Sequence, residues 1–194
     1  IHVAREAAAS GNVFAAVITL SALGEFHMRR GRLAEAEVAY RRAVDIADDG
    51  HGGLLPVAGQ ALTGLGVVAL MRNELTSAYT YLRRGVDLGR SAGQIVALDG
   101  LAYLARAQQA AGDAAGARAT LSEAMDLAIR FDATDIDDRM IGIEQARSSV
   151  LQGDLALAHA WVEEYGLTPR TGPYPPGSRE ARFRKYELIV ADRK

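Results

Sequence analysis

Large apolar residues recur along the chain, each time beside a small one. Leu20 and Leu23 precede Gly24, Leu62 and Leu65 precede Gly66, and Leu101 and Leu104 precede Ala105. Further on, small Ala36, Ala78, Ala117 and Ala158 are each followed four residues later by a bulky side chain: Tyr40, Leu82, Leu121 and Val162. Spacings of three and four put these residues on single helix faces. There the small ones let two axes approach and the large ones supply the knobs of ridge-and-groove packing. Between the two patterns stands Gly31, Asn73, Gly112 or Gly153, at successive intervals of 42, 39 and 41 residues. Glycine and asparagine suit the left-handed conformation that ends a helix. The short turns Gly-Arg-Leu, Asn-Glu-Leu, Gly-Asp-Ala and Gly-Asp-Leu then return the chain antiparallel. The pattern therefore predicts four helix–turn–helix units, aligned over residues 21–47, 63–89, 102–128 and 143–167. Enlarging Ala36 or Ala78 to Phe is expected to overpack the seam by roughly 1–3 kcal/mol.

Composition agrees with an all-α chain. Of 194 residues, 49% are hydrophobic and 24% charged, which suffices for a real core, and only five prolines and 6% aromatics accompany the many Ala, Leu, Arg and Glu. With no cysteine there is no disulfide framework, thiolate metal site or thiol nucleophile. Apolar runs are short and broken by glycine or charge, so no membrane span or signal peptide is expected, and the location expected is cytoplasmic. Residues 1–167 carry 15 Arg against 21 acidic groups, whereas residues 168–194 carry 7 basic against 3 acidic. This is not the basic field of a DNA-binding domain, and no direct nucleic acid contact is expected.

The first unit carries Leu20, Leu23, Gly24, Gly31, Ala36, Tyr40 and Ala43 at the signature spacing of the tetratricopeptide repeat (TPR), which it resembles. Later units drift, with Gly85 at the third signature alanine and Gln145 at a usual leucine position. The period near 40 exceeds the usual 34. The extra residues fall after second helices, as in "DDGHGGLLPV" at 48–57 and "RFDATDIDD" at 130–138. Longer repeats with such linkers resemble the MalT-type superhelical domain of large ATP-dependent LuxR-family bacterial transcriptional regulators. The resemblance implies a right-handed superhelix of about four TPR-like antiparallel helix pairs with partial units at both ends. As one domain over 1–194, it has repeats at about 12–50, 56–92, 94–131 and 135–166 and a partial terminal helix at about 178–193. Ile1 to Ala9 reads as the tail of a preceding helix stopped by "SGN" at 10–12, so a piece of a longer protein is expected. Exposed repeat ends would favour self-association.

Motifs for chemistry are missing. No Gly-x-x-x-x-Gly-Lys-Ser/Thr phosphate loop, helix-turn-helix reading face or nucleophile elbow occurs, so no enzyme activity and no cofactor are expected. His2, His27, His51 and His159 have no partner histidine at i+3 or i+4, and His27 takes a position where the repeat usually packs an aromatic. The "DATDIDD" stretch, with Asp132, Asp135, Asp137 and Asp138, lacks the calcium-loop pattern and reads as a helix start favoured by acidic side chains. The arginine pairs 41–42 and 83–84 and the "RRGR" at 29–32 lie at helix-neighbour spacings from Glu25, Glu35, Glu37, Asp45 and Asp87, as on a salt-bridged solvated face. "REARFRKYELIVADRK" at 179–194 reads as an amphipathic helix.

Recognition, in a stack of helix pairs, belongs to the concave face lined by first helices. The register puts Ser21, Glu25, Gln60, Thr63, Asp99, Tyr103, Arg106, Glu144 and Arg147 there. Tyr103, Arg106 and a carboxylate can stack on a ring and hydrogen-bond a polar small molecule or a peptide. A chaperone-type carboxylate clamp is disfavoured, because Ser21, Glu25, Gly64, Asp99 and Tyr103 occupy its basic and amide positions. By resemblance, the expected role is a non-catalytic sensor. A small-molecule effector, or a protein or peptide partner, would bind in the groove and bias ATP-dependent self-association, while a separate domain binds DNA. The alternative is a TPR scaffold that holds protein partners with no role in transcription.

Overall fold

Each predicted turn residue has the backbone that its chemistry favours. In a computed structural model, Gly31, Asn73, Gly112 and Gly153 have φ of 73°, 61°, 87° and 81°, and Asn73 alone does so with a side chain among the described non-glycine residues. The same two hydrogen bonds close each helix end. The Gly31 N–H donates to the Met28 carbonyl at 2.9 Å and the Arg32 N–H to the His27 carbonyl at 3.0 Å, and equivalent pairs follow Asn73, Gly112 and Gly153. This double closure satisfies carbonyls that a helix end otherwise orphans. At the next helix start, the Asp113 carboxylate accepts from the Gly116 N–H at 2.8 Å, as the Asp154 carboxylate does from Ala156 at 3.1 Å. Aspartate in Gly-Asp is thus the N-cap that follows the αL residue.

The structure describes residues 12–48, 50, 51, 53–92, 97–131 and 135–164. These form α1 Val13–Arg29, α2 Leu33–Ile46, α3 Ala58–Met71, α4 Leu75–Ala92, α5 Leu98–Ala110, α6 Ala114–Arg130, α7 Asp135–Leu151 and α8 Leu155–Glu164, with no strand among the described residues. The all-α, TPR-like fold is therefore as expected. Asn12 caps α1, its carboxamide accepting from the Ala15 N–H at 3.0 Å. The linker after α2 folds on itself: Asp48 pairs with Leu54 in an isolated antiparallel bridge, and the Gly50 N–H donates to the Asp48 carboxylate at 2.7 Å. Expectations for 1–9 and 178–193 lie outside the described residues, as does Asp132. Asp135, Asp137 and Asp138 fall at the start of α7, and no metal-ligating group of three or more occurs among the described residues.

Contacts divide the chain into two units, residues 1–144 and 145–194. In the first, the core runs between pairs as much as within them. Val17 and Leu20 of α1 join Ala36, Tyr40 and Ala43 of α2 and Leu62, Leu65 and Val68 of α3 in one cluster. Ala69 of α3 then joins Ala78, Leu82 and Val86 of α4, Leu98, Leu101 and Leu104 of α5, and Leu127 of α6 in the next. Each pair is capped apolarly by its successor's first helix, the reason a single such pair does not persist alone. Glycines set the closest approaches. A Cβ added to Gly59 on α3 would stand 3.0 Å from the Gly85 carbonyl and 3.1 Å from the Gly89 nitrogen of α4, so these helices cross backbone to backbone. In the second unit, Gln152 donates to the Ser148 hydroxyl at 2.9 Å just before the Gly153 turn into α8.

Candidate binding groove on the first helices

Within residues 1–144, α1 packs on α3 and α3 on α5, so the first helices form one layer. The second helices α2, α4 and α6 stand further from each other. That difference puts the first helices on the inner side of the curve in this unit. α3, the middle helix, is buried over most of its surface: ten of its fourteen residues are buried, including Val67 and Val68.

The side chain that organises this layer comes from a second helix. Tyr40, 3% exposed, reaches from α2 so that one ring edge lies against both Gly24 of α1 and Gly64 of α3. Any Cβ at either glycine would overlap that edge. Burial first, then the Glu25 carboxylate and the Tyr103 phenol, hold the Tyr40 hydroxyl well above the ordinary tyrosine range, so it stays neutral. Tyr40 is therefore within electrostatic reach of Glu25 of α1 and Tyr103 of α5. Sequence reasoning took Tyr40 for packing alone. The signal that could have found it is Gly64, which stands where the neighbouring units have Ala22 and Tyr103.

The sequence-predicted residues divide as follows. Asp99 is exposed in the first turn of α5, where a carboxylate opposes the positive end of the helix dipole. Tyr103 is half-buried and packs against the apolar cluster that contains Leu98, Leu101 and Leu104. Arg106 points toward Glu144, 8% exposed, in an ion pair of 3.9 Å across α5 and α7. Gln60 is exposed on α3. Thr63 is half-buried, and its hydroxyl oxygen lies 2.8 Å and 3.2 Å from where Cβ atoms on Gly85 and Gly100 would stand, in the seam of α3, α4 and α5. Arg147 is half-buried in the second unit. Glu25 is ion-paired with Arg29 at 2.7 Å. The structure thus sets Tyr40 within the electrostatic reach of Glu25 and Tyr103, and pairs Arg106 with Glu144.

Ser21 corrects the register. Placed on the groove by its spacing, it is 1% exposed, and its hydroxyl has no hydrogen-bond partner. α1 packs against both α2 and α3, which leaves less of its circumference open than an even helical wheel assumes. His27 is half-buried as expected for a packed histidine, its ring edge-on to Phe26 with centroids 5.7 Å apart, while the Arg30 guanidinium covers the Phe26 ring at 4.4 Å. The arginine pairs are partly salt-bridged: Glu37 accepts from Arg41 at 2.5 Å and from Arg72 at 2.6 Å, the second tying α2 to the end of α3.

Paired antiparallel helices, αL turn residues at a 39–42 residue period and small residues at the crossings define a TPR-like helical repeat protein. The sequence model of the MalT-like TPR region matches residues 2–191, and the chain belongs to that family. No curated protein matches the chain. None of the helices described is long and apolar enough to cross a membrane.

Proposed function

We propose that this chain is the sensor segment of a large ATP-dependent LuxR-family transcriptional regulator in the cytoplasm. It binds an effector or a protein partner on its first-helix face and couples occupancy to self-association of the parent protein. The observation that carries this reading is the family match over residues 2–191. The four helix pairs are taken as repeats of one domain, and Gln60, Thr63, Asp99, Tyr103, Arg106, Glu144 and Arg147 as its groove candidates. Glu25, which the sequence register also assigns to this face, joins them. TPR domains mediate protein interactions, and this segment makes no direct contact with nucleic acid. Catalysis has no support in the groove, where Arg106 is neutralised by Glu144 and the Tyr40 phenol is held protonated.

Two measurements test the proposal. The complete reading frame should encode a nucleotide-binding ATPase segment before this region and a helix-turn-helix after it; a frame with neither removes the regulator context. A thermal-shift screen with metabolites tests sensing, because a ligand present at 100 times its Kd adds about 2.7 kcal/mol to the folded state. A hit should be lost in Tyr103→Ala and weakened in Asp99→Asn. A hit unaffected by both variants would remove the groove from the mechanism.

A further inference from the structure

The second helices do not close on each other as the first helices do, and between α4 and α6 they leave a trough of about 480 Å3. That volume is within the range of small-molecule sites, about 300–1,000 Å3. One wall is Arg90 from the last turns of α4. The other is a single face of α6, with Ser122, Glu123, Asp126, Leu127 and Arg130 at helical spacing. Leu127, 6% exposed, forms an apolar floor and belongs to the core cluster below.

The charges in this trough are of two kinds. Arg90 is engaged: it donates to Asp87 at 3.3 Å on its own helix and to Glu123 across the trough, forming a strut between repeats. Asp126 and Arg130 are in no ion pair among the described residues, although four residues apart on one helix. Their backbone positions are offset by about 6 Å along the axis, so an unpaired carboxylate and an unpaired guanidinium face the same space side by side. A singly charged ion gains from one of them and is repelled by the other. A molecule with an ammonium and a carboxylate on adjacent carbons gains from both.

We infer that the α4–α6 trough is a binding site for a zwitterionic amino acid. The ammonium sits on Asp126, the carboxylate takes a forked hydrogen bond from Arg130, and the Ser122 hydroxyl supplies a further polar contact. The side chain lies over Leu127. This site is on the second helices, distinct from the groove proposed above. A ligand here spans two repeats beside the Arg90–Glu123 strut and stiffens their junction.

The test is a titration of the isotope-labelled protein with L-leucine and L-alanine, with acetate and methylammonium as singly charged controls, followed by amide chemical shifts. L-leucine should shift Ser122, Asp126 and Leu127 saturably, more tightly than L-alanine, and neither control should saturate below about 10 mM. Asp126→Asn and Arg130→Gln should each weaken L-leucine about tenfold, with Arg130→Lys between, while the exposed positions keep the melting temperature unchanged. Saturable shifts at α6 with the amides of Gln60 and Asp99 unmoved separate the site from the groove. Absence of saturable shifts at α6, or acetate binding as tightly as L-leucine, would overturn the inference.

Discussion

Gly24 and Tyr40 provide a quantitative check on how the first repeat is held together. An alanine methyl at Gly24 would stand 2.6, 2.7 and 2.8 Å from three atoms of the Tyr40 ring, Cε1, Cζ and Cδ1. Ordinary carbon contacts are about 3.5–4.0 Å, so the ring would have to retreat by about 1 Å. It has nowhere to go, because the same ring edge already lies against Gly64 on the neighbouring helix. Overpacking of this kind costs about 1–3 kcal/mol, while replacing an interior helical glycine with alanine returns about 1 kcal/mol. Gly24→Ala should therefore lower stability by up to about 2 kcal/mol in the natural protein. In a Tyr40→Leu background the methyl has space, and the same substitution should raise stability by about 0.5–1 kcal/mol. Urea unfolding followed by far-ultraviolet circular dichroism gives both values from midpoints at constant slope, and the cycle isolates a coupling of about 1–3 kcal/mol. Equal effects of Gly24→Ala in both backgrounds would refute the wedge.

Two other consequences are open to measurement. Asn73 adopts φ of 61° where three sister turns have glycine, so Asn73→Gly should hold or raise the urea midpoint, whereas Asn73→Val should cost about 1–2 kcal/mol. Glu37 is held below the ordinary glutamate value of 4.5 chiefly by the Arg72 hydrogen bond, which burial partly opposes and Arg41 reinforces. Its folded pKa is depressed, so its contribution is present above the ordinary value and is lost as pH falls through the folded one. Glu37→Gln should cost up to about 1 kcal/mol near neutral pH, a gap that closes in acid melts; a gap that widens in acid would contradict the assignment.

The fold was legible because its punctuation is chemical. Gly31, Asn73, Gly112 and Gly153 are residues for which the αL backbone is inexpensive, and Asp113 and Asp154 are caps readable from one position. The core residues Ala36, Ala78, Ala117, Leu82 and Leu101 follow from periodicity, and all are 4% exposed or less. The groove was less legible, since which arc of a helix stays open depends on two neighbours that no local pattern records. Ser21 disappears under that second contact, and the Thr63 hydroxyl settles into a seam opened by Gly85 and Gly100. The trough on α4 and α6 escaped for a related reason. Arg90 and Arg130 look alike in a charged sequence, and only ion pairing among the described residues, Arg90 with Asp87 and Glu123, distinguishes them.

α3 explains why the groove chemistry is divided between its flanks. Val67 occupies the place on α3 that Glu25 has on α1 and Arg106 on α5, yet it is 4% exposed. Gly59, Gly64 and Gly66 remove three side chains from the same helix, and Tyr40, Leu82 and the α4 backbone move into the space. A charge at position 67 would be buried without a partner, at a cost of several kcal/mol, so the middle helix can carry apolar contact but no ionised group. Charged side chains on this face are thereby left to the flanking first helices, while α3 offers only the uncharged polar groups of Gln60 and Thr63. Tyr40 connects α1 and α5, because its ring passes between α1 and α3 and its hydroxyl meets the fields of Glu25 and Tyr103. Gly24 of α1 and Gly64 of α3 are what admit that ring, because a Cβ at either position would overlap it.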